Sequence, residues 1–140
     1  WYATPEVTAP QREQAAALLR SLGAQIEVED EKFVAMATAV SGTGPAYVFL
    51  LCEAMQAAAE KQGLPAAAAR ALAVQTFVGA AKMLDESGEP ADVLRQRVTS
   101  PNGTTHAAIS AFEQGGLRGL VQTALDAAAE RGRALSEEND

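Results

Sequence analysis

Two consecutive stretches, 45–62 and 65–87, are each opened by a proline and followed by a glycine, Gly63 and Gly88. Proline is tolerated in the first turn of a helix and glycine is favoured just past its end, so this punctuation predicts two long helices. The first reads Ala46-Tyr47-Val48-Phe49-Leu50-Leu51-Cys52 and continues through Met55, with Glu53, Gln56 and Glu60 as its polar exceptions. A surface helix presents one apolar stripe, whereas a helix apolar almost all the way round has to be covered on more than one flank. The second helix has alanine at most of its early positions, which permits close helix approach, and Leu72, Val74, Phe77, Val78, Met83 and Leu84 supply bulk. Two such helices in 140 residues carry more apolar surface than one small core can cover, and a second subunit is the expected covering surface.

The rest of the chain is read around this pair. Thr8-Ala9-Pro10-Gln11 has the form of a capping box with proline in the first turn, and Ala15, Leu18, Leu19 and Leu22 recur at helical spacing until Gly23. Gln25-Ile26-Glu27-Val28-Glu29 then alternates polar and apolar residues as a half-buried strand does. A lone strand needs a ladder for its backbone groups, so sheet outside this chain is expected, in line with an opening Trp1 that reads as the start of a piece of something larger. From Asp30 onward the pattern is helical. A short helix is expected over 31–40, with Phe33, Val34, Met36, Ala37 and Val40 as its apolar set, and Ser41 to Gly44 is expected to break it. Gly88, Glu89 and Pro90 separate the second long helix from another over 91–98. After Gly115-Gly116 a final helix is expected over 117–135, followed by a frayed acidic tail at 136–140.

Composition narrows the function classes. The formal charge of -7, with no basic stripe, argues against nucleic acid and acidic membrane surfaces as partners. One cysteine, Cys52, leaves no internal disulfide framework and fits a reducing compartment. No uninterrupted apolar run reaches membrane-spanning length and no secretory leader is visible, so a soluble cytoplasmic protein is expected.

Between the last two helical stretches lies Val98-Thr99-Ser100-Pro101-Asn102-Gly103-Thr104-Thr105-His106, where loop vocabulary changes abruptly to helix vocabulary. Pro101 biases Ser100 away from helical angles and Gly103 permits conformations closed to other residues, so a turn is expected at 100–103. Thr104 and Thr105 then stand where a helix begins, with side-chain oxygens able to cap it. The first turn of a helix has unpaired amides and a partial positive charge, and small residues let an anion approach closely. Turn chemistry alone is more often the mark of an ordinary capped turn.

Residues 99–105, followed by Ala108-Ile109 and Phe112-Glu113, resemble the signature of pyrroline-5-carboxylate reductase. Val40-Ser41-Gly42-Thr43-Gly44-Pro45-Ala46-Tyr47 is similar to that family's other recurring segment, and the likeness extends from Tyr2-Ala3 to about Leu135. Asn102 departs from the family's usual glycine. The resemblance implies a mainly α fold: a helical-bundle dimerisation domain over 30–140, like the carboxy-terminal domain of 6-phosphogluconate dehydrogenase, preceded over 1–29 by the closing helix and strand of a Rossmann domain. It implies reduction of 1-pyrroline-5-carboxylate to proline with NADPH or NADH, the cofactor being bound mainly by the absent amino-terminal domain, since no glycine-rich dinucleotide fingerprint is present here. It implies an intertwined homodimer that assembles further into rings, and a fragment inactive by itself.

For the matching positions the resemblance implies that Ser100, Asn102, Gly103, Thr104 and Thr105 bind the substrate, its carboxylate taking backbone amides of Ser100 and 103–105. It gives the Thr105 hydroxyl the catalytic place beside the ring nitrogen. Ser41, Gly42 and Gly44 face the nicotinamide end of the cofactor, or else form a tight interhelix turn at the dimer interface. His106, the only histidine, reads more readily as a surface or packed group than as an acid or base, and Cys52 as a buried inert thiol. No metal constellation occurs, and Glu29-Asp30-Glu31 and Asp85-Glu86 read as helix-end or solvated groups. Two other readings stand beside this one: a free-standing helical oligomerisation or interaction module, and the helical half of another imine or hydroxyacid reductase.

Overall fold

The structure, a computed structural model, describes residues 1–138. Among them are seven α-helices: α1 (Ala9–Leu22), α2 (Lys32–Ala37), α3 (Gly44–Lys61), α4 (Ala66–Ser87), α5 (Ala91–Arg97), α6 (Thr104–Gln114) and α7 (Leu117–Glu137). A π-helical turn, Thr38–Gly42, follows α2 directly. The chain forms two compact units, one made of Trp1–Gly44 with the chain from Thr123 onward, the other of Pro45–Gln122.

In the first unit, α1 begins as its sequence requires. The Thr8 backbone N–H donates to Gln11 Oε1 at 2.9 Å, and the Thr8 hydroxyl donates to the same oxygen at 2.8 Å. The stripe of α1 is only partly covered: Ala15 and Leu19 are half-buried, while Leu18 is 71 % and Leu22 85 % exposed. The expected strand at 25–29 does not form among the described residues. Its segment is extended and, among the described residues, its backbone bonds to one partner residue: the Trp1 ammonium donates to the Ile26 carbonyl at 2.8 Å and the Val28 N–H donates to the Trp1 carbonyl at 2.9 Å. This is the pattern of a single parallel rung, and a ladder needs more than one. The Trp1 indole N–H to Gln25 Oε1, and Arg12 to Glu27 at 2.6 Å, add side-chain ties.

The break expected at Ser41 to Gly44 is softer than its composition implies. The Thr43 N–H reaches back five residues to the Thr38 carbonyl at 3.0 Å, and the Thr38, Ser41 and Thr43 hydroxyls donate to the carbonyls of Val34, Ala37 and Ala39 at 2.9, 2.8 and 2.9 Å. Hydroxyls bonded back to the preceding turn satisfy themselves within the helix and distort it, and here the distortion is a π turn in place of a break. Counted through this turn, Lys32–Lys61 is one helical run of 30 residues containing an 18-residue stretch of mean hydropathy 1.5, long and apolar enough by length and composition to cross a membrane. That corrects the expectation from the residue string, in which Thr38, Ser41 and Thr43 interrupt the apolar residues.

In the second unit, α3 ends in the Schellman arrangement its glycine foretells. Gly63 has φ 102°, its N–H donates to the Glu60 carbonyl at 2.9 Å, and the Leu64 N–H donates to the Ala59 carbonyl at 3.1 Å. Gly88, at φ 64°, ends α4 in the left-handed region. The last helix runs further than expected: α7 includes Ser136 and residue 137, and Arg131 bonds Glu138 at 2.8 Å. One ion pair spanning about two turns holds the start of the acidic tail, while 139–140 lie outside the described residues.

Burial is what departs most from an ordinary domain. Among the described residues only Ala39, Ala69, Ala73 and Ala129 are buried, two in each unit, and no large side chain is. Along α3, Phe49 is 70 % and Leu50 64 % exposed. The accessible surface is 10783 Å². A folded monomer of 14.6 kDa exposes about 6,900 Å², and two separately folded halves of that mass would expose roughly 8,300 Å². Either way some thousands of Å² remain that a self-sufficient chain buries. Cys52, expected to be buried, is accordingly only half-buried.

Candidate functional site

The loop between α5 and α6 is a four-residue turn. The Gly103 N–H donates to the Ser100 carbonyl at 3.0 Å, with Pro101 second and Asn102, at φ 58°, third. Proline followed by a residue of positive φ is the requirement of a type II turn, and asparagine is the residue that best replaces glycine there. The departure at Asn102 therefore keeps the left-handed backbone that glycine provides. Gly103 is constrained differently: a Cβ on it would stand 3.2 Å from the Ser100 carbonyl oxygen and 3.4 Å from Ser100 Cβ. A close approach within the turn, rather than its φ of -82°, asks for glycine.

The helix that follows is not capped as its threonines suggested. Gly103 occupies the N-cap position and no side chain among the described residues caps the helix end, so Thr104 and Thr105 are its first and second helical residues. The first helical bond is Ala107 N–H to the Gly103 carbonyl at 3.1 Å, which leaves the amides of Thr104, Thr105 and His106 without helical acceptors. A threonine one residue into the helix has its oxygen past the amides it would cap. The Gly103 amide, by contrast, is engaged within the turn and is not free for a ligand. Ser100, Asn102, Thr104 and His106 are exposed and Thr105 is half-buried. The tip is open to solvent, with the Thr105 hydroxyl unengaged among the described residues.

Three ion pairs frame the loop. Glu89 and Arg97 pair across α5, and the Thr99 hydroxyl donates to the Arg95 carbonyl at 2.6 Å. Glu113, in the last turn of α6, pairs with Arg118 of α7 at 2.8 Å and with Arg95 of α5 at 3.6 Å. The hydrogen bond from Arg118 holds the Glu113 carboxyl below its ordinary value of 4.5, with the charges of Arg118 and Arg95 acting in the same direction. The sequence places Glu113 in the signature stretch but does not show its pairing, because its partners are on other helices. The available signal was an acidic residue at a helix C-terminus, where the backbone dipole disfavours it unless a cation compensates.

Ser41, Gly42 and Gly44 belong to the other compact unit. Ser41 and Gly42 are exposed in the π turn, and Gly44 opens α3. A Cβ on Gly42 would stand 3.1 Å from Thr38 Cγ2, whereas one on Gly44 would meet nothing within 4 Å. The glycine at 42 thus answers to the turn itself, and the one at 44 leaves open space beside the helix start. Residues 38–45 contain no lysine or arginine.

A family model described as pyrroline-5-carboxylate reductase dimerisation matches residues 31–135. The chain belongs to that family. A pyrroline-5-carboxylate reductase of Pseudomonas aeruginosa is 50 % identical over 98 % of this chain and 50 % of its own length, and one of Pisum sativum is 44 % identical over 85 % and 43 %. A solved structure of the reductase from Coxiella burnetii superposes with a TM-score of 0.89 at 43 % identity, covering 96 % of this chain and 50 % of that one. The Plasmodium falciparum enzyme, solved with NADP bound, gives 0.80 at 31 % identity over 94 % and 50 %. The chain spans about half the length of the curated relatives it matches. Its mainly α architecture is that of this family.

Proposed function

We propose that the chain is the dimer-forming and substrate-carboxylate part of a cytoplasmic pyrroline-5-carboxylate reductase, which reduces 1-pyrroline-5-carboxylate to L-proline with NADPH or NADH in proline biosynthesis. The observation that carries this reading is the uncapped tip of α6, where the Thr104 and Thr105 amides have no acceptor behind an exposed turn. The substrate carboxylate takes these amides and that of Ser100, at a helix end whose dipole favours an anion. Asn102 and Gly103 shape the turn that admits it. The Thr105 hydroxyl, one residue into the helix, orients the ring nitrogen by a hydrogen bond. The cofactor, when bound, supplies the hydride, and positioning the ring is the larger share of what the protein contributes.

Ser41, Gly42 and Gly44 let the nicotinamide end come close, and the phosphates are held by parts of the parent protein outside residues 38–45. The family match starting at residue 31 supports a division into 1–29, the end of the cofactor domain, and 30–140. The uncovered faces of α3 and α4 support a homodimer that assembles further into rings, in which a second copy covers Phe49 and Leu50. A mostly apolar groove of about 260 Å³ between α4 and α5, lined by Ala80, Met83, Leu84, Leu94, Arg95 and Val98, is further open surface in the same unit.

Thermal unfolding of the chain with proline and with an unrelated amino acid tests the reading. Ligand at a hundred times its Kd adds about 2.7 kcal/mol of stability. Stabilisation by proline alone is expected. No response, or an equal response to both, overturns the carboxylate-binding role and leaves the free-standing interaction module.

A further inference from the structure

One carboxylate ties together the helices on either side of the candidate loop. Arg118, in the first turn of α7, grips Glu113 with a fork: Nε donates to Oε1 and Oε2 at 3.0 Å each, and Nη2 donates to Oε1 at 2.8 Å. Arg95 of α5 approaches the same oxygen, its Nη1 at 3.6 Å. Arg95 acts a second time through its backbone, whose carbonyl accepts the Thr99 hydroxyl at 2.6 Å.

The topology gives these contacts their consequence. The eleven residues of α6 span about 16 Å, with Thr104 at one end and Glu113 near the other. For Arg95 to approach Glu113, the chain has to leave the far end of α6 and travel back along the helix to enter it at Thr104. The ion pair therefore closes a ring, from Arg95 to Glu113, that contains the whole of residues 99–105. Closing a loop at its ends removes conformations that its middle could otherwise adopt. An isolated exposed ion pair contributes little. This one differs in its forked geometry and in joining three helices around one loop.

We infer that Glu113 is a positioning residue: by linking Arg95 to Arg118 it fixes where the tip of α6 presents the Thr104 and Thr105 amides and the Thr105 hydroxyl. The inference rests on the carboxylate-binding reading of that tip. Arg118 supplies the directional grip, and Arg95 connects it to the strand of chain that enters the turn.

The test uses the full chain with Glu113→Gln, which removes the charge, and separately Arg118→Lys, which keeps the charge and loses the fork. Amide hydrogen exchange is followed at Gly103 and Ala107, whose N–H groups close the turn and the first turn of α6, with buried Ala73 in α4 as reference. Proline affinity is measured by calorimetry on the same samples. In both variants exchange at Gly103 and Ala107 is expected to rise about fivefold or more while Ala73 keeps its wild-type rate, and proline Kd is expected to weaken by a similar factor. Wild-type exchange at Gly103 and Ala107, or a rise merely in proportion to Ala73, overturns the positioning role. Should Glu113→Gln fail to fold, Arg118→Lys decides by the same comparison. If the wild-type chain does not bind proline, the carboxylate reading falls while the exchange rates still decide whether Glu113 holds the loop.

Discussion

Replacing Asn102 in turn by glycine, alanine and valine isolates the backbone requirement of the candidate loop. Asn102 sits at φ 58°, in a region that costs an ordinary L-residue about 1–2 kcal/mol and that asparagine tolerates better than most. Asn102→Ala keeps a Cβ and loses the side chain that eases this conformation, so a loss of about 1 kcal/mol is expected. Asn102→Val adds a branch at Cβ and should cost about 2 kcal/mol or more. Asn102→Gly relieves the Cβ but frees the unfolded chain by about 0.5–1 kcal/mol, so the two effects nearly cancel. Chemical denaturation at one fixed protein concentration reads these differences, fixed because any self-association makes stability depend on concentration. In a thermal melt of 140 residues each kcal/mol corresponds to about 3 °C. The order expected is Gly close to wild type, then Ala, then Val. A glycine variant less stable than the alanine variant would refute the claim that the turn, and not the amide side chain, selects this residue.

Gly103→Ala should be worse than its negative φ implies, by about 1–3 kcal/mol, because the new methyl stands against the Ser100 carbonyl; near-neutral denaturation would show that the turn can shift. Gly63→Ala, at φ 102°, is expected to cost about 1 kcal/mol or more in the same assay, through strain at the end of α3. Acid stability follows from Glu113 and Asp30, both lowered in the fold, Asp30 mainly by its bond to Lys32. Their contribution is present above the ordinary values of 4.5 and 3.8 and is lost as pH falls through the lowered ones, so Glu113→Gln should flatten part of the acid limb of a stability-against-pH curve. An acid limb identical to wild type would contradict this. Phe49→Glu, placing a charge at an exposed large apolar side chain of α3, is expected to convert the associated species to monomer in sedimentation.

The helices of this protein were legible because their ends are chemically marked. Pro45, Gly63, Pro65, Gly88 and Pro90 act locally, through the φ they fix or permit, so no distant contact can move them far. The π turn at Thr38–Gly42 was not legible, since hydroxyls that fold back onto preceding carbonyls look in sequence like the hydroxyls of a loop. The segment at 25–29 alternates correctly for a strand, but a strand is a property of two segments, and among the described residues its backbone bonds reach only Trp1. At the candidate site, Pro101, Asn102 and Gly103 announced the turn, while the choice of Gly103 over a threonine as the cap depended on one residue of register. The pairing of Glu113 was invisible for a different reason: its partners Arg95 and Arg118 become neighbours only when three helices are in place.

Uncovered apolar surface underlies the whole reading, and the mass of the chain in solution tests it most directly. Light scattering on the eluting protein at micromolar concentration should give at least twice 14.6 kDa. A stable, cooperatively folded species of 14.6 kDa would mean that the exposed faces of α3 and α4 need no second copy, and would contradict the account at its base.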